Sequence, residues 1–203
     1  MLRAKQLFDS GIIRIRNVDS IYLHLIANQG FIRDDVSDLL RSEIVYVISS
    51  FDRLIHDLVR IGMRQTYNGL RSKTNSYKNY SFTINETDRI NYATIPPSEY
   101  IFEEIIASKH KHLSFQEPEK INEALSLIWL ETHKWQVIAN RMGRNQNDLK
   151  TELKNIILRR NQIVHEGDFD LSTGNLQPIT HNDTVRSVNF IESLGNTIYD
   201  IIS

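Results

Sequence analysis

The 203-residue chain has no cysteine, only four prolines and eight glycines, and no long apolar run. Without cysteine there can be no disulfide, no thiol nucleophile and no Cys-ligated zinc, and a reducing, cytoplasmic setting is expected. So little Gly and Pro excludes collagen-like and linker-like classes. Neither sign of charge dominates: 24 Lys+Arg face 25 Asp+Glu, a formal −1. That excludes a polycationic nucleic-acid coat, though not a local basic face. The most apolar stretch of the helical part, Ile44 to Phe51, is closed off by Glu43 and Asp52. It falls far short of the ~20 residues a membrane span needs. The N-terminal stretch MLRAKQLFDSGIIRIRN is broken by charge too often for a signal peptide. What is present is 40% hydrophobic residues, enough for a real core, and residues 1–203 read as a single domain.

The apolar spacing is helical almost throughout. Asp19 can cap a short helix carrying Ile21, Leu25 and Ile26, and Asp34 or Asp35 opens a long one running to about Met63. Its apolar positions Val36, Leu40, Ile44, Val47, Phe51, Ile55 and Leu58 recur at steps of three and four, one stripe of a 3.6-residue period. A further helix follows Pro96-Pro97, with Ser98 as N-cap and Ile101, Ile105 and Ile106 buried. Pro118 suits a first helical position ahead of Ile121, Leu125, Ile128 and Trp129. Trp135, Ile138 and Met142 lead to a stop at Gly143, and both tryptophans read as core. The next helix starts near Asn147 or Asp148 and runs towards Gly167; the last is capped by Thr180 or Asp183 and buries Val188, Ile191, Leu194, Ile198 and Ile201. Residues 68–97 form a long irregular insertion rich in Tyr, Asn, Ser and Thr, either holding short strands around Tyr80–Ile84 or serving as a binding loop. The fold class is therefore all-α, a helical bundle with one long insertion.

Chemistry concentrates in Leu158-Arg159-Arg160-Asn161-Gln162-Ile163-Val164-His165-Glu166-Gly167-Asp168. An Arg followed by a His four to six residues on is weak by itself, since chance gives roughly one or two such pairs in this composition. Placement raises the signal. Leu149, Leu153, Ile156, Arg160, Ile163 and Val164 share one helical stripe, so Arg160 stands where an apolar contact is expected. An unpaired buried charge is expensive, so that stripe must face a carboxylate, a subunit interface or an anionic ligand there. Asn161 and His165 lie one turn apart on the adjacent strip, and all three side chains can converge at the helix end.

Arg160-Asn161-x3-His165 matches the R-[N/D/H]-x3-H core of the HEPN superfamily of helical domains. More narrowly, Arg-Arg-Asn-Gln-Ile-Val-His-Glu-Gly-Asp at 159–168 resembles the RiboL-PSP-HEPN family, as does the block Phe51-Asp52-Arg53-Leu54-Ile55-His56-Asp57-Leu58-Val59-Arg60-Ile61-Gly62-Met63. The resemblance runs from about residue 34 to the end. It implies a helical ribonuclease domain that forms a homodimer, with two motifs around one composite cleft, cutting RNA without metal or cofactor. Such domains act as toxins or in antiphage defence, where an antitoxin or defence-system partner would belong. Carried over, Arg160 and His165 are the catalytic pair and Asn161 orients them. Relatives silenced by nucleotidyl transfer carry a Tyr two residues after the His; here Gly167 stands, and that silencing is unsupported.

The chemistry suits these groups. RNA supplies its own nucleophile, the 2′-hydroxyl, so the protein need only move protons and stabilise charge. An imidazole with an ordinary pKa near ~6.5 exchanges protons at cellular pH. A guanidinium can fork onto phosphate oxygens as charge builds in the transition state. A dimer offers two histidines, one base and one acid, giving a 2′,3′-cyclic phosphate and a 5′-hydroxyl; DNA should resist. Six cations from Arg141 to Arg160 face only Asp148 and Glu152. Arg144, Lys154 and Arg159 are accordingly the expected substrate-binding residues, although a merely solvated helix face explains Lys150 and Lys154 equally well.

Asp52, His56 and Arg60 follow at i, i+4 steps on the long helix. Helical salt-bridging explains them, at ~0.3 kcal/mol per pair, but pairing with Arg159 or Arg160 would make them supporting residues of the cleft, together with Glu166. His110 and His112 lack a ligand set for a metal. Tyr77, Tyr80, Phe82 and Tyr92 could stack on bases or pack the insertion onto the bundle. The alternative to an enzyme is a non-catalytic HEPN-type module that binds RNA, nucleotide or a protein partner.

Overall fold

In a computed structural model, residues 1–28, 30–32, 34–170 and 172–203 are described, and among them the regular structure is helical, with no strand. Helix α1 (Leu2–Asn28) is one unbroken helix rather than the short one expected from Asp19. Its buried residues Ala4, Phe8, Ile12, Ile15 and Tyr22 keep a helical period, while Arg3, Arg14 and Ile21 lie on the exposed side. The charges that broke up the linear apolar pattern therefore sit on one face of a single helix. Asp19 caps nothing; its carboxylate lies 2.6 Å from His181 Nε2.

A 3-10 turn, Asp34–Val36, leads into α2 (Ser37–Tyr67), and all seven apolar positions expected on its stripe are buried. Ile48, Leu54, Val59 and Met63 are buried too, because α1, α5 (Ser98–His110), α6 (Pro118–Ser126), α8 (Gln146–His165) and α9 (His181–Ile202) all pack against this helix. Helix α9 comes so close that a Cβ at Gly195 would lie 2.6 Å from Phe8 Cζ, so no larger residue fits there without displacing the Phe8 ring.

The insertion holds two short helices and no strand, α3 (Asn75–Lys78) and α4 (Ile84–Asn91). Of the two alternatives for this segment, strands around Tyr80–Ile84 do not form. Thr83 and Glu86 form a reciprocal capping box that starts α4, and Ile90 is its one buried residue, too little apolar pattern to announce a helix. Tyr77, Tyr80 and Phe82 pack against the core, whereas Tyr92 is exposed.

Helix α5 (Ser98–His110) starts with Pro97 at the cap position; Ser98 is already helical and makes no capping bond. Helices α6 (Pro118–Ser126), α7 (Lys134–Arg141), α8 (Gln146–His165) and α9 (His181–Ile202) follow. Pro118 is the first residue of α6, Gly143 takes φ +65 just past α7, and the Thr180 side chain accepts from Asp183 N–H at the start of α9. Trp135 is buried; Trp129 is half-buried against the core. No helix among the described residues is long and apolar enough to cross a membrane.

Candidate functional site at the end of helix 8

Asn145 starts α8 by accepting from the N–H groups of Asn147 and Asp148, and Leu149, Leu153, Ile156 and Ile157 fix its inner face. The apolar stripe was expected to continue through Arg160, Ile163 and Val164. It does not. Burial ends at Ile157; Arg160 and Ile163 are half-buried, and Val164 is 44% exposed.

Just past the helix end lies a buried carboxylate, Asp168. Gly167 and Asp168 both take left-handed backbone angles, φ +61 and +63, and turn the chain back under the helix end. For Gly this conformation is free; for Asp it is uncommon and must be held by its surroundings. Asp168 is fully buried. It accepts from Arg41 Nε of α2 at 2.6 Å and from both terminal nitrogens of Arg159, Nη2 at 2.8 Å. Arg41 Nη2 also donates to the Gln177 carbonyl at 2.8 Å, Arg159 Nη1 to Gln177 Oε1 at 3.0 Å, and Gln177 N–H to the Asp168 carbonyl at 2.8 Å. One buried carboxylate between two guanidiniums thus ties α2, α8 and the 168–178 segment together.

The motif itself faces outward. Arg160 Nη1 donates to Asn161 Oδ1 at 3.0 Å. Arg160 Nε is buried and has no hydrogen-bond partner, and no carboxylate among the described residues pairs with the guanidinium. His165 ends α8 and is exposed, one turn beyond Asn161. Glu166 is exposed at the C-cap, its N–H bonded to the Gln162 carbonyl at 3.0 Å. Arg160, Asn161 and His165 therefore share an accessible helix end, with an orphaned guanidinium N–H at its margin.

The expected substrate-binding cations fare differently. Arg159 is half-buried and is held by the buried Asp168. Arg144 pairs with Glu152 and lies over the Phe190 ring, and Lys154 pairs with Glu119 at 3.1 Å. Glu119 comes from α6, 35 residues away in sequence, so no local charge count along α8 could include it. The basic surplus around the motif is smaller than the sequence implied.

The Asp52–His56–Arg60 strip does not join this end. Asp52 accepts from Phe115 N–H at 2.6 Å, His56 Nε2 lies 3.2 Å from the Leu113 carbonyl, and Arg60 pairs with Glu103 and Asp57. None of the three meets Arg159 or Arg160. Arg41 marks where α2 meets the motif end, and Asp52 to Arg60 lie about 16 to 28 Å further along at 1.5 Å per residue. His110 is buried near the Tyr80 hydroxyl, burial pushing it down to about 4 with help from His56 and Lys109, while His112 is exposed. Among the described residues no three His, Asp or Glu groups converge as metal ligands. The anchor itself, Arg41, Asp168 and Gln177, was missed at the sequence level, though Asp168 closes the very block that carries the resemblance.

An all-α bundle whose penultimate long helix ends in an outward Arg-Asn-x3-His defines a HEPN-type helical domain. The chain belongs to the RiboL-PSP-HEPN family, whose model matches residues 11–203. Searches of curated proteins and of solved structures found no match.

Proposed function

We propose that the chain is a metal-independent endoribonuclease that cleaves RNA by attack of the 2′-hydroxyl on the adjacent phosphate, with Arg160, Asn161 and His165 acting at a site completed by a second copy of the chain. The observation that carries this reading is the Arg160 guanidinium: no carboxylate neutralises it, its buried Nε is unpartnered, and it bonds Asn161, one turn before an exposed His165. A phosphate oxygen on the outer guanidinium nitrogens would satisfy that charge. His165 would take or return the proton, and the twin motif would supply the second acid–base group. Arg141, which also lacks a carboxylate partner among the described residues, would add weak long-range attraction. Toxin or antiphage activity is the cellular setting that fits.

The test is cleavage of a defined RNA in EDTA. His165→Ala is expected to slow it by about 10²–10⁴-fold, and the wild-type product should end in a 2′,3′-cyclic phosphate. Equal rates from the two proteins, or cleavage only on adding a divalent ion, would overturn the reading.

A second reading, a HEPN-type module that binds without cutting, has its own support. Arg144, Lys154 and Arg159 are paired within the chain, and Leu158, Val164, Phe169 and Leu176 are exposed around the motif, a surface suited to a protein partner. Tight RNA binding with no product, unchanged in His165→Ala, would favour it.

A further inference from the structure

The insertion does more than cover the bundle. Between its segment 73–82, α4, α5 and the end of α2 lies a cleft of about 410 Å³, within the rough 300–1,000 Å³ range of small-molecule sites. Its walls are aromatic: Tyr67 stacks on Phe102 with centroids 4.6 Å apart, and Tyr77 and Phe82 lie 6.4 and 5.6 Å from the same ring. Only two charged side chains line it, Lys73 and Lys78, both exposed. Neither pairs with a carboxylate among the described residues, whereas nearby Lys109 is held by Glu86. The cleft beside His56 differs, since Asp52 and Asp57 share it with its cations. Asn91 and Thr87 add amide and hydroxyl groups at the rim.

An apolar aromatic slot with two free ammonium groups and no acid calls for a flat ring that carries an anion. We infer that this cleft binds a nucleotide, its base against Tyr67 and Tyr77 and its phosphate between Lys73 and Lys78. The base would gain stacking on the rings, and the phosphate would meet two exposed ammonium groups with no acid beside them in the cleft. The same chemistry is offered by a free mononucleotide and by an unpaired nucleotide of an RNA strand. The inference goes beyond the cleavage reading and does not rest on it, because binding here needs neither Arg160 nor His165.

The experiment is titration of the full-length His165→Ala protein, which cannot consume the probe by the proposed route, with adenosine 5′-monophosphate, adenosine, ribose 5-phosphate and a ten-nucleotide RNA. Saturable binding of the mononucleotide is expected below about 1 mM, with adenosine and ribose 5-phosphate each weaker by about tenfold or more, the equivalent of one lost stack or contact. Lys73→Glu with Lys78→Glu should lower nucleotide affinity by a similar factor at unchanged melting temperature, since both side chains are exposed. Tyr77→Ala should do the same, and Tyr77→Phe should not. A ten-nucleotide RNA that binds more tightly and competes with the mononucleotide identifies a strand as the source; an RNA that binds more weakly identifies the free nucleotide. Absence of saturable binding, equal binding of ribose 5-phosphate, or indifference to the lysine variants overturns the proposal, as does capture of a peptide segment in the cleft instead.

Discussion

Asp168 decides how the motif is displayed. Its carboxylate has no exposure and lies between Arg41 and Arg159, with Gln177 closing the group. Removing one partner of a buried ionic group costs about 3–5 kcal/mol, because the remaining charges are left uncompensated. Asp168→Asn keeps a residue that tolerates the left-handed backbone but removes the charge, and is expected to lower unfolding stability by about that amount in urea denaturation. His165→Ala, at an exposed helix end, should stay within about 0.5 kcal/mol of the wild type while losing cleavage. Wild-type stability for Asp168→Asn would show that the anchor is not what holds this end. The contrast also explains what could be read in advance. Arg160 was read as a charge in an apolar slot that must face a carboxylate, an interface or an anion; it is half-buried instead, because helical periodicity assumes that the core runs as far as the helix does. Here the core stops at Ile157, and only the tertiary meeting of Arg41 with Asp168, 127 residues apart, tells where.

Among the elements, α2 was the most legible and also holds the least expected group. Its apolar stripe is long and regular, so its extent was plain from spacing. α1 was obscured because charges on its outer face alternate with buried residues, and α4 because its signal was the Thr83–Glu86 box rather than an apolar face. Glu43 lies on α2 among buried residues, with Oε1 unpartnered. Burial, and then Asp19, push its carboxyl up to about 8, with Arg16 pulling the other way. The folded chain therefore holds a proton that the unfolded chain, with an ordinary glutamate near ~4.3, releases earlier. Stability is fully present below the unfolded value and declines as pH rises towards about 8. Glu43→Gln should remove that decline: stabilities measured at about pH 5 and about pH 8.5 should differ less in the variant than in the wild type. An equal difference in both proteins would assign the pH dependence elsewhere.

At the scale of the whole molecule, the composite site proposed above needs a second chain. Leu158 is 58% exposed and shares a helix face with Asn161 and His165, at spacings of three and seven residues, while Phe169 and Leu176, bridged to each other, are exposed just beyond the helix end. Apolar groups clustered around a polar site are what a two-fold interface would cover, and a self-complementary patch is the commonest way to build one. Such a contact would bring two His165 side chains and two Arg160 guanidiniums to one cleft, the pair of acid–base groups that one copy lacks. Leu158→Asp is then expected to turn a dimer into a monomer in light scattering and to abolish RNA cleavage, although its own Arg160 and His165 are untouched. His165→Ala should remain dimeric and be equally inactive. The two measurements separate assembly from chemistry: a monomeric Leu158→Asp protein that still cleaves at the wild-type rate would mean that one motif suffices, and the composite site would have to be abandoned.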